Sequence, residues 1–195
     1  MATKRVEIGK AFGYGWQGIK KNFWYFVVLA ILVIGIKSIF SSEINPALGL
    51  VGIFVSAWLI AGYLKILFNY YDHDEKKLPL RKLFSQSKYI WSIAGGSILV
   101  GLIVAAGFIL LIIPGIYWAL KYSMTINLIV DKDMGVMEAM RQSAKMTSGV
   151  KMALLGFGIV SFGVFILGVI CLGVGIFVAT PIVWLASVYV YKKLL

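Results

Sequence analysis

The sequence predicts an all-α integral membrane protein with six transmembrane helices, arranged as three helical hairpins that are each preceded by a basic amphipathic interfacial helix. Of its 195 residues, 61% are hydrophobic and only 14% are charged, whereas soluble domains are about 45–50% apolar and about 25% charged. Two long stretches, residues 89–120 and 152–191, contain no charged side chain. A weak internal repeat adds the prediction of a pseudo-threefold architecture.

The net charge of +11, from 19 Lys and Arg against eight Asp and Glu, indicates on which side of the membrane the connecting segments lie. The basic residues interrupt the apolar stretches at intervals and do not form one patch. This distribution fits the positive-inside rule better than it fits nucleic-acid binding. No small-residue cleavage site follows the first apolar stretch, which we expect to be retained. Both termini are therefore expected in the cytoplasm.

One amphipathic helix and two transmembrane spans are predicted in the first third of the chain. Residues 4–21 place Ile8 and other bulky apolar residues on one helical face and lysines on the other, which favours a position in the membrane interface. The alternative is an amphipathic helix packed on a partner. Spans follow at 23–40 and 47–70. Lys37 is expected to extend outward, towards Glu43.

The length of each uncharged stretch determines how many times it can cross the membrane. A straight helix of 40 residues would be about 60 Å long, but the hydrocarbon core of a bilayer is about 30 Å thick and needs roughly 20 residues. Each stretch must therefore cross, turn and return. The polar connection at 72–88 is predicted to be cytoplasmic and to contain a short amphipathic helix. The six predicted spans are residues 23–40, 47–70, 89–111, 115–130, 150–171 and 175–192.

The uncharged stretches also align with each other at an offset of 67 residues. The matches in this alignment include Gly101 with Gly168, Pro114 with Pro181, and Tyr122 with Tyr189. At an offset of 128, four residues of the first amphipathic helix (Ile8, Ala11, Phe12 and Trp16) match Val136, Ala139, Met140 and Ala144. We predict a single polytopic domain, residues 1–195, built from three units in the same orientation at about 4–71, 76–130 and 133–193.

Few side chains could carry chemistry. His73 is the only histidine, in a loop with Asp72, Asp74 and Glu75. These residues could bind a divalent ion weakly, but clustered acids at a helix end are usually solvated, so no metal site is predicted. The single cysteine, Cys171, excludes an intrachain disulfide. The 21 glycines indicate close helix packing rather than a substrate path. No catalytic residue, cofactor or enzyme activity is predicted.

The most informative polar element is a helix predicted at 134–148. Asp133 is expected to be its N-cap, because a carboxylate accepts hydrogen bonds from the first amides of a helix. Gly149 is expected to end it. Glu138 and Arg141 are spaced to pair on one face. We expect this helix to lie on the inner leaflet, with a coupling or partner-docking helix as the alternative.

Proline and glycine mark the predicted bends. Pro114 and Gly115 are expected to form an outer turn with little polar exposure, and Pro181 marks the corresponding position of the last unit. Lys121 is a charged residue near a span end. The candidate structural or functional positions are Pro114, Gly115, Lys121, Asp133, Glu138, Arg141, Gly149 and Pro181.

Residues 107–151 resemble a known family. The signature comprises Ile-Pro-Gly-Ile at 113–116, Lys-Tyr-Ser at 121–123, Asp-Lys-Asp at 131–133 and Glu-Ala-Met-Arg-Gln-Ser at 138–143. It resembles the bacterial membrane domain attached to some glycerophosphoryl diester phosphodiesterases, and related stand-alone six-helix proteins of unknown function. In the two-part proteins, hydrolysis belongs to a separate soluble barrel domain with a metal. The resemblance therefore implies no catalytic residue for this chain.

These observations together predict a non-catalytic, multi-pass protein of the bacterial inner membrane. It would be a scaffold or lipid-associated module whose basic cytoplasmic face binds anionic lipid headgroups, with a protein partner and an oligomer as open alternatives. The second hypothesis is a small transporter or channel, and an enzyme acting on lipids is the third. No nucleic-acid partner is predicted.

Overall fold

The computed structural model describes residues 6–40, 49–73, 81–170, 173 and 175–195. Within these ranges, helix is the only regular secondary structure, which confirms the predicted all-α class. In the described ranges, a 3-10 turn at Ser87–Tyr89 precedes the fifth α-helix. The α-helices of the described ranges are α1 (Ile8–Lys21), α2 (Phe23–Ile39), α3 (Gly49–His73), α4 (Arg81–Phe84), α5 (Ile90–Leu110), α6 (Ile112–Lys121), α7 (Thr125–Lys132), α8 (Val136–Met146), α9 (Lys151–Ile170) and α10 (Ile176–Leu194).

Several of these helices are long and apolar enough to cross a membrane. Four candidate spans lie in the described ranges, at Val51–Asp72, Ser87–Leu110, Lys151–Ile170 and Ile176–Leu194. A fifth arises if α1 and α2, which meet at an angle of 101°, form one broken span. The part of the chain that the structure describes therefore has the helices of a membrane protein, with four or five candidate spans where the sequence predicts six.

The predicted span at 115–130 is wrong as a single helix. Helix α6 ends at Lys121, residues 122–124 form a turn, and α7 begins at Thr125. At 1.5 Å per residue, α6 is about 15 Å long and α7 about 12 Å, so neither can cross a bilayer alone. The physical reason is competition for backbone hydrogen bonds, because hydroxyl groups of α8 bind the backbone at this turn.

The helices belong to two compact units, which are described separately. One unit contains Met1–Gly52 and Met152–Lys193, and the other contains Ile53–Lys151 with Leu194–Leu195. The predicted division into three repeated units is not tested by this grouping and stays a prediction.

In the first unit, α1 packs on α9 and α10. Gly15 approaches α10 so closely that a Cβ there would stand 2.5 Å from the carbonyl oxygen of Ile182. The rings of Phe12 and Phe157 lie 5.3 Å apart between centroids. Ala11 is completely buried, while Trp16 stays half-exposed. Helix α1 is therefore packed on apolar helices of its own chain, and its Trp16 side remains uncovered.

In the second unit, α6 and α7 pack along α5, and α8 packs on α5 and α7. Gly96 in the middle of α5 lies against Ile129 of α7 and Val136 of α8. The short α4 packs on α3, where the indole Nε1 of Trp58 donates a hydrogen bond to the Phe84 carbonyl at 3.1 Å. These contacts bury the apolar face of α8, so that helix is held against protein rather than lying free on a leaflet.

Candidate functional site

The turn between α6 and α7 is held by two hydroxyl side chains of α8. Ser143 Oγ donates to the Lys121 carbonyl at 2.9 Å and accepts from the Met124 backbone N–H at 3.2 Å. Thr147 Oγ1 lies 3.2 Å from the same Lys121 carbonyl and 2.9 Å from the Ser143 carbonyl. Ser143 and Thr147 are both fully buried. Two backbone groups that a continuous helix would have satisfied are therefore satisfied from a neighbouring helix.

This arrangement matters because broken helices are costly in an apolar environment. Helix ends leave backbone groups without partners, and each unsatisfied group in hydrocarbon costs several kcal/mol. Ser143 and Thr147 are one turn apart, so both hydroxyls reach the same point. The Thr125 hydroxyl at the start of α7 is also buried, and it has no hydrogen-bond partner among the described residues. The turn is thus a polar point within an otherwise apolar helical pair.

The expected capping role of Asp133 is wrong. Helix α8 runs from Val136 to Met146, and its N-cap is Gly135, so the predicted bounds of 134–148 were too wide. Asp133 instead caps the C-terminus of α7, in the left-handed conformation with φ 54°. That conformation favours Asn, Asp and Gly. The carboxylate does not cap α8, and it binds instead two side chains of the 3-10 turn that precedes α5.

Those two partners are Lys88 and Tyr89. Lys88 Nζ donates to Asp133 Oδ1 at 2.8 Å, and the Tyr89 hydroxyl donates to the same oxygen. Hydrogen bonding from Lys88, and then from Tyr89, lowers the pKa of Asp133 below its usual 3.8. The cluster joins the α7–α8 loop to the start of α5 although the two segments are 45 residues apart. Sequence spacing carries no sign of this pairing.

Asp133→Asn tests whether the carboxylate stabilises this loop. The folded-state pKa is below the unfolded value, so the stabilisation is present above about pH 3.8 and is lost as the pH falls through the folded pKa. Near neutral pH we expect the variant to unfold at a slightly lower temperature than the wild type, because exposed ion pairs contribute little. The two melting curves should converge in stronger acid. A difference that does not change with pH would show that the ion pair is not responsible, since asparagine tolerates the same backbone conformation.

Three other candidate positions, Gly149, Glu138 and Arg141, lie on α8 or in the turn that follows it. Gly149 has φ 83° in the turn after the helix, a conformation that a Cβ would strain, which fits its expected role as a stop. Glu138 and Arg141 are both exposed. No ion pair joins them among the described residues, so their expected pairing is wrong. Two long side chains on an exposed face gain little from holding one geometry.

The bend between α5 and α6 is tight, but the expected outer turn at Pro114 and Gly115 is wrong, because both residues lie inside α6. Leu111 alone separates the two helices, with extended backbone at φ −165°. Pro114 lies in the first turn of α6, where a missing N–H costs nothing. A Cβ on Gly107 would stand 2.8 Å from the Gly115 Cα, so α5 and α6 are in backbone contact. Pro181, in contrast, lies inside α10 rather than at its start.

A second polar group lies on α6 and at the start of α9. Lys151 Nζ donates to the Tyr117 hydroxyl at 2.9 Å and lies 4.0 Å from the centroid of its ring. Lys121, one turn beyond Tyr117, lies 5.3 Å from the ring centroid of Tyr122. We call Tyr117, Lys121 and Lys151 the α6 cationic cluster. The sequence singled out Lys121 alone, and the contribution of Lys151 could not be read from spacing.

Three expectations concern positions outside the described residues. These are the pairing of Lys37 with Glu43, the acidic loop residues Asp74 and Glu75, and the packing of Cys171. Among the residues that are described, no group of three or more His, Cys, Asp or Glu side chains could hold a metal ion.

Comparison with known proteins finds no match to this chain. No protein-family model matches the sequence, no curated protein matches it, and no solved structure matches the fold. Function must therefore be argued from the geometry of the described residues.

Proposed function

We propose that the chain is a non-catalytic, multi-pass protein of the bacterial inner membrane that acts as a lipid-associated scaffold. Its basic cytoplasmic face binds anionic lipid headgroups, with a protein partner on the same face. One observation supports this most strongly. Helix α1 buries Ala11 and Gly15 against its own unit, while Lys20 and Lys21 remain exposed at its C-terminal end.

The exposed side of α1 has the chemistry of the headgroup region. Trp16 is 48% exposed, and Lys20 Nζ lies 5.2 Å from its ring centroid. Tryptophan favours the membrane–water interface, where its ring is apolar and its N–H is hydrated. Each basic residue close to an anionic surface contributes about 1 kcal/mol of binding. A helix fixed to apolar helices thus presents its cations where lipid phosphates lie.

The packing of the basic helices also supports three repeated copies. Helix α1 of the first copy packs on α10 of the last, and α4 of the second copy packs on α3 of the first, where Leu83 meets Gly62. Helix α8 of the third copy packs on α5 and α7 of the second. The proposal therefore comprises three repeated copies packed in this sequence, and a relationship to the membrane domain of glycerophosphoryl diester phosphodiesterases. The six-span topology stays a prediction.

Lipid binding by the purified full-length chain tests the proposal. We expect phosphatidylglycerol to bind more tightly than phosphatidylcholine in native mass spectrometry, and higher ionic strength to reduce the difference. Lys20→Gln with Lys21→Gln should weaken phosphatidylglycerol binding by up to about 30-fold. The matched control, Lys20→Arg with Lys21→Arg, keeps both charges and should bind like the wild type. Equal binding of the two lipids would refute the electrostatic role.

The α6–α7 break favours transport as a second candidate. Discontinuous helices line substrate sites in many transporters, and irregular backbone at membrane depth occurs where it is buried in protein or lines a cavity. Here the Lys121 carbonyl is already bound by Ser143 and Thr147, which leaves it less available to a substrate. Ion or solute flux in liposomes that depends on Lys121 would favour this candidate over the scaffold.

A further inference from the structure

The α6 cationic cluster consists of one phenol and two lysines, Lys121 on α6 and Lys151 at the start of α9. Tyr117 and Lys121 are four residues apart, so they share one face of α6. Lys151 reaches the Tyr117 hydroxyl at 2.9 Å from the first residue of α9, and Lys121 Nζ lies 5.3 Å from the ring centroid of Tyr122. All three side chains belong to the second compact unit. The hydroxyl is therefore bound by one lysine, and the second lysine follows one helical turn after Tyr117 on the same face.

No described carboxylate neutralises this cluster. Asp133 is bound to Lys88, and neither Lys121 nor Lys151 forms an ion pair within the described ranges. Both lysines are half-buried, so they are less hydrated than free surface lysines and gain more from a counter-ion. Contact with aromatic rings replaces only part of that stabilisation. The cluster thus lacks an anion.

The chemistry of the cluster suits a phosphate group. Two ammonium groups can each donate to a phosphate oxygen. The Tyr117 hydroxyl accepts from Lys151 and can donate its own proton to a third oxygen. Tyr117 is 46% exposed, so a ligand can reach it from outside without displacing a helix.

The neighbouring residues indicate that the phosphate belongs to a lipid. Ile113, Tyr117 and Lys121 follow one another on the same face of α6, and Ile113 is 80% exposed. Along this face the side chains change from aliphatic at Ile113 to phenolic at Tyr117 and cationic at Lys121, over eight residues or about 12 Å. Half of a typical hydrocarbon core is about 15 Å. A lipid whose phosphate binds Lys121 could therefore lie along α6 with its acyl chain beside Ile113.

We infer that the α6 cationic cluster is a binding site for the phosphate of an anionic phospholipid. The inference rests on the proposed lipid-associated function and assigns it a specific site. Tyr117 and the two lysines bind the phosphate, and the exposed aliphatic face of α6 contacts the acyl chain. The basic end of α1 supplies a general attraction, whereas this cluster holds one lipid in a fixed position.

Native mass spectrometry of the full-length chain with phosphatidic acid tests the site. Lys121→Gln with Lys151→Gln should weaken binding of the tightest lipid by about 30-fold. Tyr117→Phe keeps the ring and removes the hydroxyl, and should weaken binding by several-fold. Tyr117→Phe removes only one exposed oxygen atom, so we expect it to fold. It therefore tests the site even if the double variant does not fold. Wild-type affinity in Tyr117→Phe and in a folded double variant would overturn the site.

Two comparisons identify the cause of each outcome. Arg141→Gln with Lys145→Gln removes the same charge from the exposed face of α8 and should leave the tightest lipid bound. If that variant and the cluster variant lose affinity equally, the proposed basic face survives but the specific site is refuted. Inorganic phosphate is the second probe. If it displaces phosphatidic acid at comparable concentration, the site binds soluble phosphate and the lipid assignment is wrong.

Discussion

Replacing Gly62 with alanine is expected to lower the melting temperature of the purified protein by roughly 5–10 °C. A Cβ at Gly62 would overlap the backbone carbonyl of Leu83, which cannot move as a flexible side chain can. The helices α3 and α4 must then separate. That movement would break the Trp58–Phe84 hydrogen bond, so a change in tryptophan fluorescence should accompany the lower stability.

Gly101→Ala is the matched control, because Gly101 also lies inside a long helix. Nothing stands within 4 Å of its missing Cβ, so alanine should stabilise α5 by about 0.5–1 kcal/mol. Opposite shifts in the two variants would show that Gly62 is required for close packing. An unchanged melting temperature in Gly62→Ala would mean that α4 does not pack on α3 in solution.

Ser143→Ala is expected to have the second-largest effect, lowering the free energy of unfolding by about 1–3 kcal/mol. The change removes both a donor and an acceptor, so the Met124 N–H is left buried without its partner and the Lys121 carbonyl keeps only Thr147. Each unsatisfied buried group costs about 1–3 kcal/mol. Adding Thr147→Val should destabilise the turn further. Unfolding in denaturant, together with hydrogen exchange at residues 121–126, measures both effects.

Ser97→Ala provides the comparison for this prediction. Ser97 lies on the exposed side of α5, and surface substitutions usually change stability by less than about 0.5 kcal/mol. Equal stability of the two alanine variants would contradict the role of Ser143. Faster exchange confined to the α6–α7 turn in Ser143→Ala would locate the loss of stability there.

The amphipathic helices could be predicted because their patterns are local. Helix α1 ends at Lys21, as the periodicity predicts, and the offset of 128 residues pairs its first residue, Ile8, with Val136, the first residue of α8. Ala11 and Ala139 occupy equivalent positions in that alignment, and both are completely buried. Apolar periodicity predicts which face of a helix is buried, but it does not predict which element buries that face.

The α6–α7 break could not be predicted from the local sequence, since Lys121, Ser123 and Thr125 are polar there but no proline or glycine marks a helix end. Its cause lies about 20 residues further on, in the hydroxyls of Ser143 and Thr147. Asp133 shows the same limitation. Its residue type and position fit an N-cap, but Lys88 and Tyr89 bind its carboxylate across 45 and 44 residues. Tertiary contacts determine such assignments, and local spacing does not contain them.

The short length of α6 has a consequence for biogenesis. A segment of ten residues gains too little from partitioning to leave the translocon independently, since stable insertion needs roughly 20. Its backbone contact with α5 at Gly107 and Gly115 means that both segments can enter the lipid together as a preformed pair. Replacing α5 with a polar segment should therefore prevent α6 from integrating into the bilayer.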